Sequence, residues 1–417
     1  MTENMDSDTP LLPLTRFQKM MIALGTVSMG AGMTINFVVV APLAREAGLT
    51  EIQIAGILTF SSVLYTVFTP VWGRIADRVG RKRVMVFSLT AMGLANMAFL
   101  FALNAALAGL VTGLGAFALL AFVRTWFGFL APGLQPAAMA AMTDATTPAT
   151  RAGGLGMLGA AMSLGSILGP AGAAVLARIG ALAPLWGTIV FNLIVAVLIA
   201  VALPATRPLP HEHKRPPPLS MRDPRVFPHL AFLFVYFVAV GMIQQTIGWF
   251  IADRYQFVDT PAQTAKQAVV LYTGLTMACT SVAIIVVQFG YVSRRQPDPR
   301  RILPIGLGLL AVGYISADLF HPFWMVMMAF GIVGIGAALA VPSANALGSL
   351  SVGRSEQAGA AALLASAPPA GFVVGPLLGS VLYMTNPSLP FLASAAVFCI
   401  LSAYALLVTG KRPLSPG

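Results

Sequence analysis

Runs of about twenty apolar residues follow one another along almost the whole chain, each ended by a polar or charged break. A run of that length crosses a hydrocarbon core of about 30 Å as a helix. Read between their breaks, the runs predict twelve spans, near 18–43, 51–73, 84–104, 110–143, 152–177, 183–204, 228–252, 267–290, 302–319, 323–349, 358–384 and 389–410. The apolar stretches are continuous rather than alternating, which argues against a membrane β-barrel and predicts an all-α membrane protein. Met1 to Pro13 is polar and the first apolar run is already span-length, so no cleaved signal is expected.

Charge refines this picture. Only 9% of residues are charged against 57% apolar, where soluble domains carry about a quarter charged. Twenty of the 25 lysines and arginines fall in the two tails, at the entry of the first span (Lys19) and in the loops after even-numbered spans. Arg45, Arg178, Arg254 and Lys266 fall on the other side, and Arg124 lies inside a span. The bias predicts that both termini are cytoplasmic, in a cell inner membrane. It also accounts for the net charge of +11, so no nucleic-acid partner is expected. Cys279 and Cys399 sit in different spans, and His211-Glu212-His213 lies in a polar loop. Neither a metal site nor a cofactor is expected from them.

The chain repeats itself. Shifted by 206 residues, Gly128 meets Gly334, Pro136 meets Pro342, and Gly169-Pro170 meets Gly375-Pro376 without a gap. Between the copies, the proline-rich, charged stretch 204–228 has no apolar face and reads as a linker. The expected organisation is an N-tail over 1–17, a six-helix half over 18–204, a cytoplasmic linker over 205–227, a second half over 228–410 and a C-tail over 411–417. Two six-helix halves in parallel repeat are the plan of a transporter.

Between spans two and three lies GRIADRVGRKR, Gly73 to Arg83, with six charges in eleven positions. It fits G-x-x-x-D-R-x-G-R-K, and through it the chain resembles the major facilitator superfamily over essentially its whole length, most of all its twelve-span drug:proton antiporters. The resemblance implies the major facilitator fold, alternating access, a small-molecule substrate and a proton as coupling ion. It implies that this stretch, with Gly73, Asp77, Arg78, Gly80 and Arg81, latches the two halves on the cytoplasmic face. Asp144, at the end of span four, is placed to join it through Arg78 or Arg81. The second-half counterpart, GYVSRRQPDPRR, keeps the basic residues but loses the glycine spacing.

GSILGPAGAA in span five, with Gly165, Gly169 and Pro170, resembles the family's G-x-x-x-G-P-x-x-G exporter motif, departing from it at Ala173. Span eleven repeats it around Gly375 and Pro376. Small residues at this spacing let helices approach closely. Arg124, with Gly128, fits the R-x-x-x-G pattern of span four in the antiporters. An arginine near the bilayer centre costs about 2.5–3.5 kcal/mol on insertion scales and calls for a cavity or a partner. The resemblance implies that spans one, four, seven and ten line a central cavity. Arg124, Asn36, Gln244, Gln245 and Trp249 are the expected substrate or coupling residues there. Span one offers Asn36 and no acid, a departure from the antiporters that favours a neutral or anionic substrate and weakens the proton assignment. The expectation is a monomeric exporter of an amphiphilic drug or metabolite. A siderophore-like carboxylate exporter and an organic-anion importer are the alternatives. The spans hold no histidine–acid constellation, so no intramembrane enzyme is expected.

Overall fold

The computed structural model describes residues 14–147, 150–204, 220–295, 297–353 and 356–409. Most of the expected linker and of both tails, with His211 and His213, lies outside them. Among the described residues twelve helices are long and apolar enough to cross a membrane. They are α1 Arg16–Glu46, α2 Glu51–Val79, α3 Arg81–Leu107, α4 Gly113–Asp144, α5 Gly153–Ala177 and α6 Ala183–Ala202. The second set is α7 Phe227–Tyr255, α8 Ala265–Arg295, α9 Pro299–Leu319, α10 Phe323–Ser349, α11 Ala367–Thr385 and α12 Leu389–Leu407. The described residues form no sheet; a single bridge joins Thr260 and Gln263.

Local chemistry sets the ends. Thr15 and Thr50 open α1 and α2 as capping boxes with Gln18 and Gln53, each satisfying two otherwise orphaned backbone donors. Three spans depart from the hydropathy reading. Helix α2 continues six residues past the expected end, so Gly73 to Val79 is helix, and the turn into α3 consists of Gly80 alone, at φ 106°. Hydropathy sees the apolar part of a helix and misses the charged turns beyond it. Helix α4 tightens to a 3-10 turn over Ala131–Gly133 at Pro132. The eleventh span is two helices, Gln357–Leu364 and α11. Pro368 and Pro369 follow the break, and neither has an N–H to bond back to the preceding turn. In α1 a π-helical segment, Asn36–Val40, precedes Pro42 and is wholly buried.

The described residues cluster into two compact units, those within 1–212 together with 256–271, and those within 213–255 together with 272–417. In the first, Ile22, Met85, Leu89, Leu134 and Met142 form the core between α1, α3 and α4. Helix α1 pairs with α5 through glycines: a Cβ at Gly165 would collide with the Val27 carbonyl and stand 2.9 Å from the Ala31 nitrogen. In the second unit α7 pairs with α11 in the same way. A Cβ at Gly375 would stand 2.6 Å from the Val238 carbonyl oxygen and 2.9 Å from Gly241 Cα. Gly371 and Gly379 meet Phe237 and Met242 likewise.

A second fastening is duplicated. In the first unit Ser61 Oγ on α2 donates to the carbonyl of Arg124 on α4 at 3.2 Å. In the second, Thr280 Oγ1 on α8 donates to the carbonyl of Phe330 on α10 at 2.9 Å. One turn on, Gly128 and Gly334 let the same helices close, since a Cβ at either would strike the Ser61 or Thr280 carbonyl. Both pairs of positions, 124 with 330 and 128 with 334, are related by the 206-residue shift read in the sequence.

Candidate functional site

Arg124 is 5% exposed and is the one charged side chain among the described buried residues. Its guanidinium lies over Phe127 at 4.3 Å and Phe99 at 5.5 Å from the ring centres. Nη1 donates to Asn96 Oδ1 at 3.4 Å, a long bond, while Nε has no partner. A cation held on two aromatic faces gains up to about 2 kcal/mol or more when desolvated, which offsets part of the burial cost. Asn96 and Phe99 belong to α3, so Arg124 points into the α3–α4 packing. No carboxylate pairs with it, and the unsatisfied Nε leaves the group able to take an acceptor.

Asn36 is 8% exposed and opens the π-helical segment of α1, where its Nδ2 donates to the Gly32 carbonyl at 2.6 Å. On α7 the two glutamines separate. Gln245 is fully buried, and neither its Oε1 nor its Nε2 has a hydrogen-bond partner; Gln244 is half-buried. Gly241 and Trp249, one turn either side of Gln245, both face α11: Gly241 against Gly375, and Trp249 against Tyr383 with ring centres 5.6 Å apart. Residues four apart share a helix face, so Gln245 is on the α11 side. Trp249 is fully buried in protein. Asn36 and Arg124 belong to the first unit and the α7 residues to the second.

The charged stretch running from the end of α2 into α3 organises the basic end of the first unit. Arg81 Nη1 pairs with Asp77 Oδ1 at 2.5 Å, and its Nε pairs with Asp144 Oδ2 at 3.3 Å. All three side chains are less than 20% exposed. Arg81, not Arg78, is therefore the partner of Asp144, and Arg78 is exposed. Gly73, inside α2, stands close to Pro136 of α4, where a Cβ would be 3.6 Å from the proline Cβ. Lys82 donates to the Leu203 carbonyl at 2.5 Å, and Gln18 to the Ala202 carbonyl at 2.9 Å, so two side chains cap the end of α6.

The second unit carries a cluster that the sequence did not single out. Arg225 bonds Asp223 at 2.8 Å and Glu356 at 2.8 Å, tying the residues before α7 to the α10–α11 connection. The Arg225 guanidinium holds both carboxyls below their ordinary range and is itself held protonated by them. At the opposite end of the helices Tyr383 donates to Asp253 Oδ2 at 2.7 Å, and Arg254 donates to the Asp318 carbonyl at 2.8 Å. Asp253 falls one residue past the apolar run 228–252, and its partner lies 130 residues on, beyond the reach of any local pattern. Among the described residues no three histidines, cysteines or acids come together as a metal site would require.

A family model described as Major Facilitator Superfamily matches residues 22–297 and 269–417. Multidrug resistance protein 2 of Bacillus subtilis (strain 168) is 24% identical over 340 residues, 80% of this chain and 80% of its own length. Among solved structures, a bacterial homologue of the human lysosomal transporter Spinster, inward-facing and occupied, gives a TM-score of 0.66 at 15% identity. It covers 96% of this chain and 97% of its own. The human organic anion transporter MFSD10 (TETRAN) gives 0.62 at 18% identity, covering 94% and 99%. At these identities the two structures speak for the fold alone. With its twelve spans and a family match that runs nearly end to end, the chain belongs to the Major Facilitator Superfamily, and its work is solute transport by alternating access rather than enzymatic chemistry.

Proposed function

We propose that this transporter exports a small amphiphilic molecule, neutral or anionic, in exchange for protons, with Arg124 as its charged contact. The observation that carries the reading is that Arg124 is the one ionised group among the described buried residues, with Nε unpartnered and no acid beside it. A cationic drug favours a buried acid; an anion is suited to a guanidinium, whose planar fork bonds two oxygens. The direction, outward, is supported by the likeness to a multidrug resistance protein and by the glycine–proline motif of α5, repeated in α11. Asn36, in the same unit as Arg124, is the proposed polar contact near the substrate, and Asp77, Arg81 and Asp144 are the proposed latch of the basic end. The sidedness proposed is an inner membrane with both termini cytoplasmic. A carboxylate-rich metabolite is the second reading, favoured by the same unpartnered Nε.

Everted vesicles carrying a respiratory pH gradient test the proposal. Fluorescein, an anionic amphiphile, should dissipate the gradient in wild type and at least tenfold more slowly in Arg124→Gln. Ethidium, a cation, should have little effect in either. Dissipation by ethidium alone would overturn the substrate class.

A further inference from the structure

The antiport reading lacks a proton carrier, because α1 contains no acid near its middle and the described buried residues include none. The stripe of α7 facing α11 supplies a candidate. Gly241, Gln245, Trp249 and Asp253 recur every four residues, and along them Gly375 and Pro376, then Tyr383 against both Trp249 and Asp253, make contact from α11. We infer that Asp253, hydrogen-bonded by Tyr383 at the end of this seam, is the coupling carboxyl, and that Gln245 marks the way inward. The inference rests on the proton-antiport reading above.

Asp253 is exposed, two residues from the end of α7 and just past the apolar run 228–252, a position suited to exchange with solution. Its Oδ2 accepts the Tyr383 hydroxyl at 2.7 Å. Uptake of one proton forms one O–H bond and turns the carboxylate into a neutral acid; nothing else is made or broken, and one negative charge leaves the seam. A neutral acid enters hydrocarbon at far lower cost than a carboxylate. About 12 Å deeper, two turns and a little more at 1.5 Å per residue, stands Gln245. It is fully buried, and both ends of its amide are unsatisfied. Such a group costs about 1–3 kcal/mol by mutational measure unless some state of the cycle supplies a donor and an acceptor. Water entering along the seam offers both; the Asp253 carboxyl, fixed two turns away on the same helix, does not reach it.

Glycine backbones at Gly371, Gly375 and Gly379 form the α11 side of the seam, and Pro376 interrupts its hydrogen-bond ladder. The other charged or titratable groups of this corner are Arg254 and Tyr255 on α7, Asp318 on α9, His321 before α10, and Tyr383 itself. Helix α12 presents Phe391 to Phe250 there, an apolar contact. Arg254 is spent on the Asp318 carbonyl and the face of Phe250.

The test is substrate-driven dissipation of the pH gradient in everted vesicles, with fluorescein and ethidium as probes, for wild type, Asp253→Asn, Asp253→Glu and Tyr383→Phe. Gel filtration and melting in detergent report folding. Asp253→Asn should respond at least tenfold more slowly than wild type. Asp253→Glu should restore the response, and Tyr383→Phe should shift the pH at which it is half-maximal. If Asp253→Asn responds as fast as wild type, Asp253 is not the carrier, while antiport itself stands. If Asp253→Asn misfolds, Asp253→Glu and Tyr383→Phe decide: pH profiles superimposable on wild type overturn the assignment. If wild type responds to neither probe, the antiport reading fails and takes this assignment with it.

Discussion

Two glycines seven residues apart on α5 should answer a methyl group in opposite ways. At Gly165 the new Cβ meets the α1 backbone; at Gly172 nothing lies within 4 Å. Gly165→Ala is expected to cost about 1–3 kcal/mol, as overpacking does, and to lower the melting temperature in detergent by several degrees. Gly172→Ala should leave it unchanged or raise it slightly, since alanine is the better helix former; equal losses at both sites would show that contact with the α1 backbone does not govern them. The small-xxx-small spacing was legible in the sequence because it depends on residue size alone. Ala173, where the motif departs from its usual glycine, is wholly buried, whereas its repeat partner Gly379 admits Met242 at 2.7 Å. Partners are another matter. Asn96 approaches Arg124 from a different helix, and no local pattern announces it. Polarity at 244 and 245 was visible, but which amide faces α11 depends on the register of α7, which only the neighbours Gly241 and Trp249 fix.

Helix ends show where charge earns a structural role. Gly80, the one residue of the α2–α3 turn, sits at positive φ, a conformation that glycine adopts without strain. That turn brings Arg81 back onto Asp77 and across to Asp144. The charges were legible as a cluster, yet the apolar-run criterion stopped α2 six residues short, because it measures contact with lipid and not helicity. At the start of α7 the cluster of Arg225, Asp223 and Glu356 makes a pH prediction. Both carboxyls are held below their ordinary range, so their contribution is present above that range and disappears as pH falls through the lowered values. Arg225 and Glu356 are solvent-exposed, so the effect is small and screened by salt. Arg225→Gln should lower the melting temperature slightly at neutral pH and low salt. The difference should shrink as the pH falls below the ordinary carboxylate range and close in stronger acid, and also close in about 1 M salt; a difference that persists in strong acid would mean the arginine acts by packing.

On the scale of the whole molecule, hydropathy placed all twelve spans, and the repeat was visible because helix-packing glycines and prolines tolerate little change. The two-helix build of the eleventh span and the π-helical segment of α1 escaped notice, since both are matters of backbone hydrogen bonding that leave apolar content unaltered. The basic bias makes a topological prediction: a fluorescent protein fused after Gly417 should light up, and alkaline phosphatase inserted at Thr260 should be active. The reverse pattern would invert the membrane sidedness proposed for the chain. One feature of the two units reaches beyond any single state of the transporter. A hydroxyl holds the carbonyl of residue 124 in one unit and of residue 330 in the other, but the side chains so held are a cation and a phenyl ring. Because the fastening grips main chain, an ancestral duplication could preserve it while the residue it carries drifted freely. Assembly and specificity are thereby inherited separately, and one copy can take on a new cargo without the other relearning how to fold.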